Sequence, residues 1–353
     1  MTLNTEATTG DWAAPGVYQI APGVHRIPLP LPTDGLRAVN VYAIEDGDGL
    51  VLIDSGWARE QSRRALTAAL RALGRGLADV RRFLVTHVHR DHYTQALELR
   101  RSFGAKVSLG LGERDAIGLL VAGGARPLEQ QLAQLRASGA AVLLRQLAAL
   151  VGTTPGSAGS WEAPDEWLAP EQEIGVSART LRAIATPGHT QGHVVFTDSA
   201  AGLLFAGDHV LPHITPSIGF EPVAARLPLR AYLQSLRLVR SLPDMRLLPA
   251  HGPVTGSAHS RIDELLAHHH DRLERCVAAV AAGEGSAHQV ANALLWTRRD
   301  RRLADLDPFN QMLAVIETRA HLELLLAQGR LASSWVDGVT HYAPPPRPDR
   351  AAG

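Results

Sequence analysis

Residues 87–92 read His87-Val88-His89-Arg90-Asp91-His92: three histidines and an aspartate in six positions, directly after a short apolar strand expected over 82–86. In extended geometry side chains two residues apart share a face, so His87 and His89 can bind one ion together. Asp91 and His92 come after the chain turns toward a helix expected over 94–103, where they can face a second ion nearby. Neutral imidazole with carboxylate is a ligand set for zinc, with iron or manganese as alternatives. A lone histidine says little; four such residues on one strand-to-helix turn point to metal chemistry.

Outward from this turn the chain alternates strands and helices. Strands are expected over 17–27, 40–44 and 49–53, the last two joined at Asp46-Gly47. A helix follows over 59–73, ending near Gly74, and a strand over 106–109. This order suits a layered α/β domain. Residues 128–151 are expected to be helical with a break around Gly139, 152–159 to form a loop, and 161–167 to be irregular. The resulting 113–168 helical insertion reads either as a lid beside the histidine cluster or as a hairpin packed on the outside. Strands resume over 180–185, 194–197 and 203–206, followed by a helix over 229–242, a strand over 245–249 and a long helix over 257–282. From Gly283 the texture changes. Helices over 286–296 and 308–327 and a hairpin around Asp337-Gly338 suggest a winged-helix-like domain over 283–342. The expected organisation is therefore a flexible 1–14, a large layered α/β domain over 15–282, the winged-helix-like domain, and a Pro-rich disordered tail over 343–353.

Four further motifs stand in order around the histidine cluster: Leu52-Ile53-Asp54-Ser55-Gly56 before it, and after it Thr186-Pro187-Gly188-His189-Thr190, Phe205-Ala206-Gly207-Asp208 and Pro249-Ala250-His251-Gly252. With His-x-His-x-Asp-His at 87–92, this set resembles the metallo-β-lactamase superfamily, five motifs over about two hundred residues being far more specific than one short pattern. The resemblance implies an αββα sandwich with two metal ions, most simply zinc, at one edge of two sheets. It implies His87, His89 and His189 on the first ion, Asp91, His92 and His251 on the second, and Asp208 as the bridge. Asp54 would orient a ligand by hydrogen bond from outside the coordination sphere, and His193 would be a packing or supporting residue. Two cations sharing one water would lower its pKa from near 16 toward about 7, and the hydroxide would attack an electrophilic carbonyl or phosphoryl centre. Asp91 and Asp208 are the catalytic carboxylates in this reading, Asp91 taking or returning a proton. Ser55 reads as a turn residue.

Composition narrows the function classes. The 353 residues are 45% hydrophobic and 20% charged, with 35 Lys+Arg against 35 Asp+Glu. Such neutrality argues against a dedicated nucleic-acid binder or an anionic membrane surface. Lys106 is the only lysine, so the positive charge is nearly all arginine. Cys276 is the only cysteine; it permits no internal disulfide or thiolate cluster and reads as a core residue. No apolar run is long enough to span a membrane and the start lacks a secretory pattern, so a cytoplasmic location is the expectation.

Within the superfamily, Tyr93-Thr94-Gln95 departs from the small residues that follow the motif in many glyoxalase II-like hydrolases. Tyr93, His213 and Phe220 are candidates for a substrate pocket, and His209 either lines it or satisfies a loop. His268-His269-His270 reads as a solvated helix face. The winged-helix-like end resembles the branch holding the lactamase-β-like proteins and the fungal polyketide thioesterases. Three functions follow: hydrolysis of a small acyl thioester, ester or lactone; single-strand-specific RNA cleavage, with Arg298, Arg299, Arg301 and Arg302 meeting phosphates; or a winged module that binds nucleic acid or a partner, or packs as a homodimer. The first suits the neutral charge best.

Overall fold

The computed structural model describes residues 4–5, 11–31, 35–123, 128–151, 161–297 and 299–346. The loop expected over 152–159, Arg298 and much of the expected loose ends lie outside the described residues. The chain divides into two compact units: Met1–Gly123, Ala158–Pro216 and Gln234–Asp263 form the first, and Gly124–Ser157, Ser217–Leu233 and Glu264–Gly353 the second.

The first unit is a two-sheet sandwich. One sheet runs in chain order through β1 (Asn4–Thr5), β2 (Tyr18–Ala21), β3 (Val24–Pro30), β4 (Ala38–Asp46), β5 (Gly49–Ile53), β6 (Val80–Val85), β7 (Lys106–Gly110) and β8 (Glu166–Leu168). It is antiparallel from β2 to β5 and parallel from β5 to β8. The other holds β9 (Glu171–Val176), β10 (Arg179–Ala185), β11 (Val194–Asp198), β12 (Leu203–Gly207) and β13 (Arg246–Pro249), with only β12 and β13 parallel. Period two puts alternate side chains on one face. Tyr42 and Ile44, Val51 and Ile53 thus meet Ile174 and Val176, Leu181 and Ala183, and Phe205 from the opposite sheet in one buried cluster. Each large side chain buried there contributes about 1.5–3 kcal/mol. Helix α1 (Glu60–Ala72) packs against β3, and α2 (Arg90–Phe103) against β6 and β7. The layered αββα sandwich expected from the sequence is present.

Several details differ from the sequence expectations. The strand expected over 17–27 breaks at Gly23, whose φ of 68° makes the turn between β2 and β3. The end of the stretch expected to be irregular, residues 166 and 167, belongs to the edge strand β8. Strand β9 was not expected at all: among Glu171, Gln172 and Glu173 there is no apolar signal, and only Ile174 and Val176 point inward.

In the second unit, α4 (Glu129–Ala137) and α5 (Ala141–Val151) flank Gly139 at φ 76°, where the break was expected. They follow α3 (Arg114–Val121) of the first unit and pack with α9 (Pro308–Ala327). Helices α6 (Pro228–Arg240) and α7 (Ala258–Ala281) each have residues in both units, while α8 (Ala287–Ala293), α9 and the hairpin β14 (Ala332–Val336) to β15 (Val339–Ala343) belong to the second. Cys276 is buried, and burial pushes its thiol up to about 12. The histidine run on α7 is not a uniformly solvated face: His270 is exposed, but His269 is fully buried with its ring stacked on His321. Among the described residues no helix is long and apolar enough to cross a membrane.

Candidate metal centre

The ends of β5, β6, β12 and β13 and the β10–β11 loop come together at one edge of the sandwich. Strand β6 stops at Val85, so His87 and His89 lie in a short loop and not on extended strand, and His89 caps the N-terminus of α2. Their rings converge all the same. His87 Nε2 lies 3.0 Å from His89 Nδ1, which lies 3.1 Å from His189 Nε2. Two ring nitrogens on one tetrahedral zinc ion stand about 3.3 Å apart, from Zn–N bonds of about 2.05 Å. Asp208 Oδ2 is 3.9 Å from His87 Nε2 and 3.5 Å from His189 Nε2. Its other oxygen, Oδ1, is 3.6 Å from His92 Nε2 and 3.4 Å from His251 Nε2. Asp91 Oδ2 faces the same pair of histidines at 3.6 and 3.4 Å. His87, His89, His189 and Asp208 form one group able to hold a metal ion, and Asp91, His92 and His251 another.

A fit test comes from polar satisfaction. Among the described residues, His92 Nε2, His251 Nε2 and Asp208 Oδ1 are buried without a hydrogen bond, and the three atoms face one another. Buried polar atoms are almost always paired, and an orphan needs a reason. The opposite ring nitrogens explain the orientation. His92 Nδ1 donates to Asp54 Oδ2 at 2.9 Å, and His251 Nδ1 donates to the Ala38 carbonyl at 2.8 Å. His87 Nδ1 lies 3.1 Å from Thr86 Oγ1, whose hydroxyl donates to Asp54 Oδ1 at 2.9 Å. Each Nε2 is thereby turned toward the cluster, as in metal-ligating imidazoles.

The supports are as specific as the cluster. Asp54, buried at φ 59°, also accepts from the Thr86 backbone N–H at 2.8 Å. His193 lies outside the nitrogen cluster: its Nε2 accepts from the Asp208 backbone N–H at 3.2 Å, and its Nδ1 pairs with Thr186 Oγ1 at 2.9 Å. Gly207, at φ 52°, sits where a Cβ would come within 2.7 Å of His193 Nε2 and 2.8 Å of Thr86. Asn40 and Tyr42, which sequence reasoning did not single out, tie the His251 loop to β4. Asn40 Nδ2 donates to the Pro249 and Gly252 carbonyls, and the Tyr42 hydroxyl donates to Pro249.

Glu113 was missed as well. Fully buried, its Oε1 accepts from the Thr190 hydroxyl at 2.5 Å and from the Val88 N–H at 3.3 Å, linking the first histidine segment to the His189 loop. Backbones touch here too: a Cβ on Gly192 would lie 2.1 Å from the Glu113 nitrogen. Burial raises the Glu113 carboxyl to about 7, against the lowering effect of those two hydrogen bonds. Only an isolated acid just beyond an apolar strand marks this residue in the sequence.

The electrostatics split the histidines. Burial, with the charge of His189 adding to it, lowers His89 to about 3. His92 rises to about 10, because Asp54, Asp91 and Asp208 outweigh the downward effect of burial. A cation entering the second group therefore displaces a proton from His92. Asp91 is raised by burial, but His92 and His251 outweigh this and hold it below the ordinary carboxylate range.

The candidate pocket residues have different places. Tyr93 is fully buried, stacks on Trp161 and spends its hydroxyl on the Glu162 carbonyl at 2.8 Å, so it is not a ready donor for a substrate. His213 is exposed, close to Gly252 of the His251 loop. Phe220 belongs to the second unit, where it meets Phe309 edge to face at 5.6 Å. His209 is buried beside His193, and burial lowers it to about 3.

The sandwich and its edge cluster define a class of protein, and comparison with known proteins agrees with it. The profile of the metallo-beta-lactamase superfamily matches residues 34–251, ending on His251. The chain belongs to the metallo-beta-lactamase superfamily and is a metal-dependent hydrolase. It is 25% identical over 336 residues to the probable metallo-hydrolase YqjP of Bacillus subtilis, covering 90% of this chain and 95% of that one. Lactamase-like protein nscB of Neosartorya fischeri is 33% identical over 106 residues, a match spanning only 29% of the relative's own length. Among solved structures, a beta-lactamase domain protein from Burkholderia ambifaria superimposes with a TM-score of 0.73 at 28% identity, covering 96% of this chain and 97% of that one. A metallo-beta-lactamase family protein from Thermus thermophilus gives 0.70 at 26% identity, covering 92% and 100%.

Proposed function

We propose that the chain is a two-metal hydrolase, zinc being the ion that its donors suit best, acting on a small acyl thioester, ester or lactone. The observation that carries this reading is Asp208, whose Oδ2 faces the His87–His89–His189 group while Oδ1 faces the Asp91–His92–His251 group. His87, His89 and His189 would hold one ion, Asp91, His92 and His251 the other, with Asp208 between them. Bound there, the pair would supply Lewis acidity and an acidified water at neutral pH.

The chain's own residues do the rest. Asp54, His193 and Glu113 hold the ligand side chains and loops in place. Asp91, partly accessible among buried neighbours, passes a proton at Oδ2; its low proton affinity suits a relay better than a store. Burial, with the charge of Arg59 adding to it, lowers Arg90, next to His89, and such a guanidinium suits an anionic part of the substrate or its leaving group. Leu111 and Ile214 are exposed apolar residues of the same unit and suit an acyl chain. In the second unit, we read α8, α9 and the β14–β15 hairpin as a winged-helix-like module, and this reading supports a kinship with the glyoxalase II-like branch.

Panels of acyl-CoA thioesters, lactones and single-stranded RNA choose the substrate. Turnover of thioesters or lactones, abolished by Asp208→Ala, is the expected outcome. RNA cleavage without any thioesterase, esterase or lactonase activity would overturn the substrate class, and full turnover by Asp208→Ala would overturn the metal arrangement.

A further inference from the structure

The second unit contains another histidine-rich cluster. Helix α7 brings His268 and His269, and α9 brings Glu317 and, one turn on, His321. One nitrogen from each of His268 and His269 and a carboxylate oxygen of Glu317 lie within 4.8 Å of one another. His269 and His321 are fully buried, while His268 and Glu317 are half-buried.

Hydrogen bonds set the tautomers. A carbonyl only accepts, so His321 Nδ1 is the protonated nitrogen that donates to the Glu317 backbone oxygen at 2.8 Å. In a neutral imidazole only one ring nitrogen carries a proton. His321 Nε2 is then bare and accepts from His269 Nδ1 at 3.1 Å. This leaves the lone pair of His269 Nε2 in the interior, and among the described residues that atom makes no hydrogen bond. An imidazole whose far N–H is committed to a relay, with its other nitrogen bare and buried, is the arrangement that orients metal-ligating histidines.

We propose that His268, His269 and Glu317 form a separate site for a divalent transition-metal ion, zinc by preference, with His321 as a positioning residue. Two imidazoles and a carboxylate would leave a fourth position for water. Such an ion ties α7 to α9 and stabilises the second unit. Arg272 tempers the affinity, since its charge is felt at His269, Glu317 and His321. The guanidinium is nonetheless committed elsewhere: it lies 4.4 Å from the centroid of the Trp296 ring and donates to the Leu295 carbonyl at 3.0 Å. This site therefore releases its ion to a chelator before the seven-residue centre does.

The test is a metal count on the full chain, stripped by chelator, reloaded with zinc and desalted, for the wild type and for Glu317→Gln and His269→Ala. Glu317→Gln preserves size at a half-buried position, so it decides the matter even where His269→Ala does not fold. The expected result is one equivalent of zinc fewer in Glu317→Gln than in the wild type. A melting temperature that rises with zinc less steeply than in the wild type should accompany it, with hydrolytic turnover unchanged. The readout is a difference between two proteins, so it holds whatever number of ions the main centre takes. Equal zinc content in wild type and Glu317→Gln would overturn the proposal.

Discussion

Asp208 has one oxygen for each half of the cluster, and its position depends on the residue before it. Gly207→Ala would bring a Cβ to 2.7 Å from His193 Nε2 at a φ of 52°. Strain of this kind costs about 1–3 kcal/mol, and relieving it moves Asp208. A lower melting temperature together with a loss of bound metal is expected; wild-type values of both would contradict the geometry. Glu113 gives a pH test. Its folded-state value is about 7 against an ordinary 4.5, burial being the largest cause. Between those two values the folded protein holds this proton better than the unfolded chain, so the stability tied to Glu113 falls as pH rises through that window. Glu113→Gln keeps an acceptor for Thr190 and Val88 but cannot ionise. Its melting temperature should fall less from pH 5 to 8 than that of the wild type, and equal slopes would count against the assignment. The seven histidine and aspartate positions were legible because each sits in a short motif of distinctive chemistry. Glu113, Asn40 and Tyr42 were not, because their partners are backbone groups and a hydroxyl from distant segments, and no local pattern marks such contacts.

Among the elements, legibility followed the strength of local signals. Helix α9 starts at Pro308 as expected, with Asp307 accepting from the Phe309 and Asn310 N–H groups. The β14–β15 hairpin turns at Asp337 and Gly338, both at positive φ, as the Asp-Gly pair indicated. By contrast β9 is a polar edge strand, and β8 is three residues held by pairing with β7; tertiary partners make both. Helix α8 depends on a cap in which Ser286 accepts from the Gln289 N–H while the Gln289 side chain accepts from the Ser286 N–H. Ser286→Ala should destabilise the second unit by about 1 kcal/mol in denaturant unfolding. An unchanged midpoint would show that packing alone holds α8.

For the whole molecule, the layered class followed from the order of strands and helices, and the five motifs in sequence order placed one functional edge on it. The grouping of residues 124–157 and 217–233 with the C-terminal segment was not legible, since it rests on contacts between helices far apart in the chain. The histidine run on α7 was misjudged for the same reason: packing against Tyr232 and against His321 of α9 separates the buried His269 from the exposed His270. The central claim is that one edge of the sandwich holds two ions with Asp208 between them. Anomalous diffraction from zinc-loaded crystals, recorded on both sides of the zinc edge, tests it most directly. The expected map shows one peak among His87, His89, His189 and Asp208 and a second among Asp91, His92, His251 and Asp208. A single peak at this edge, or none, in fully loaded protein would contradict it.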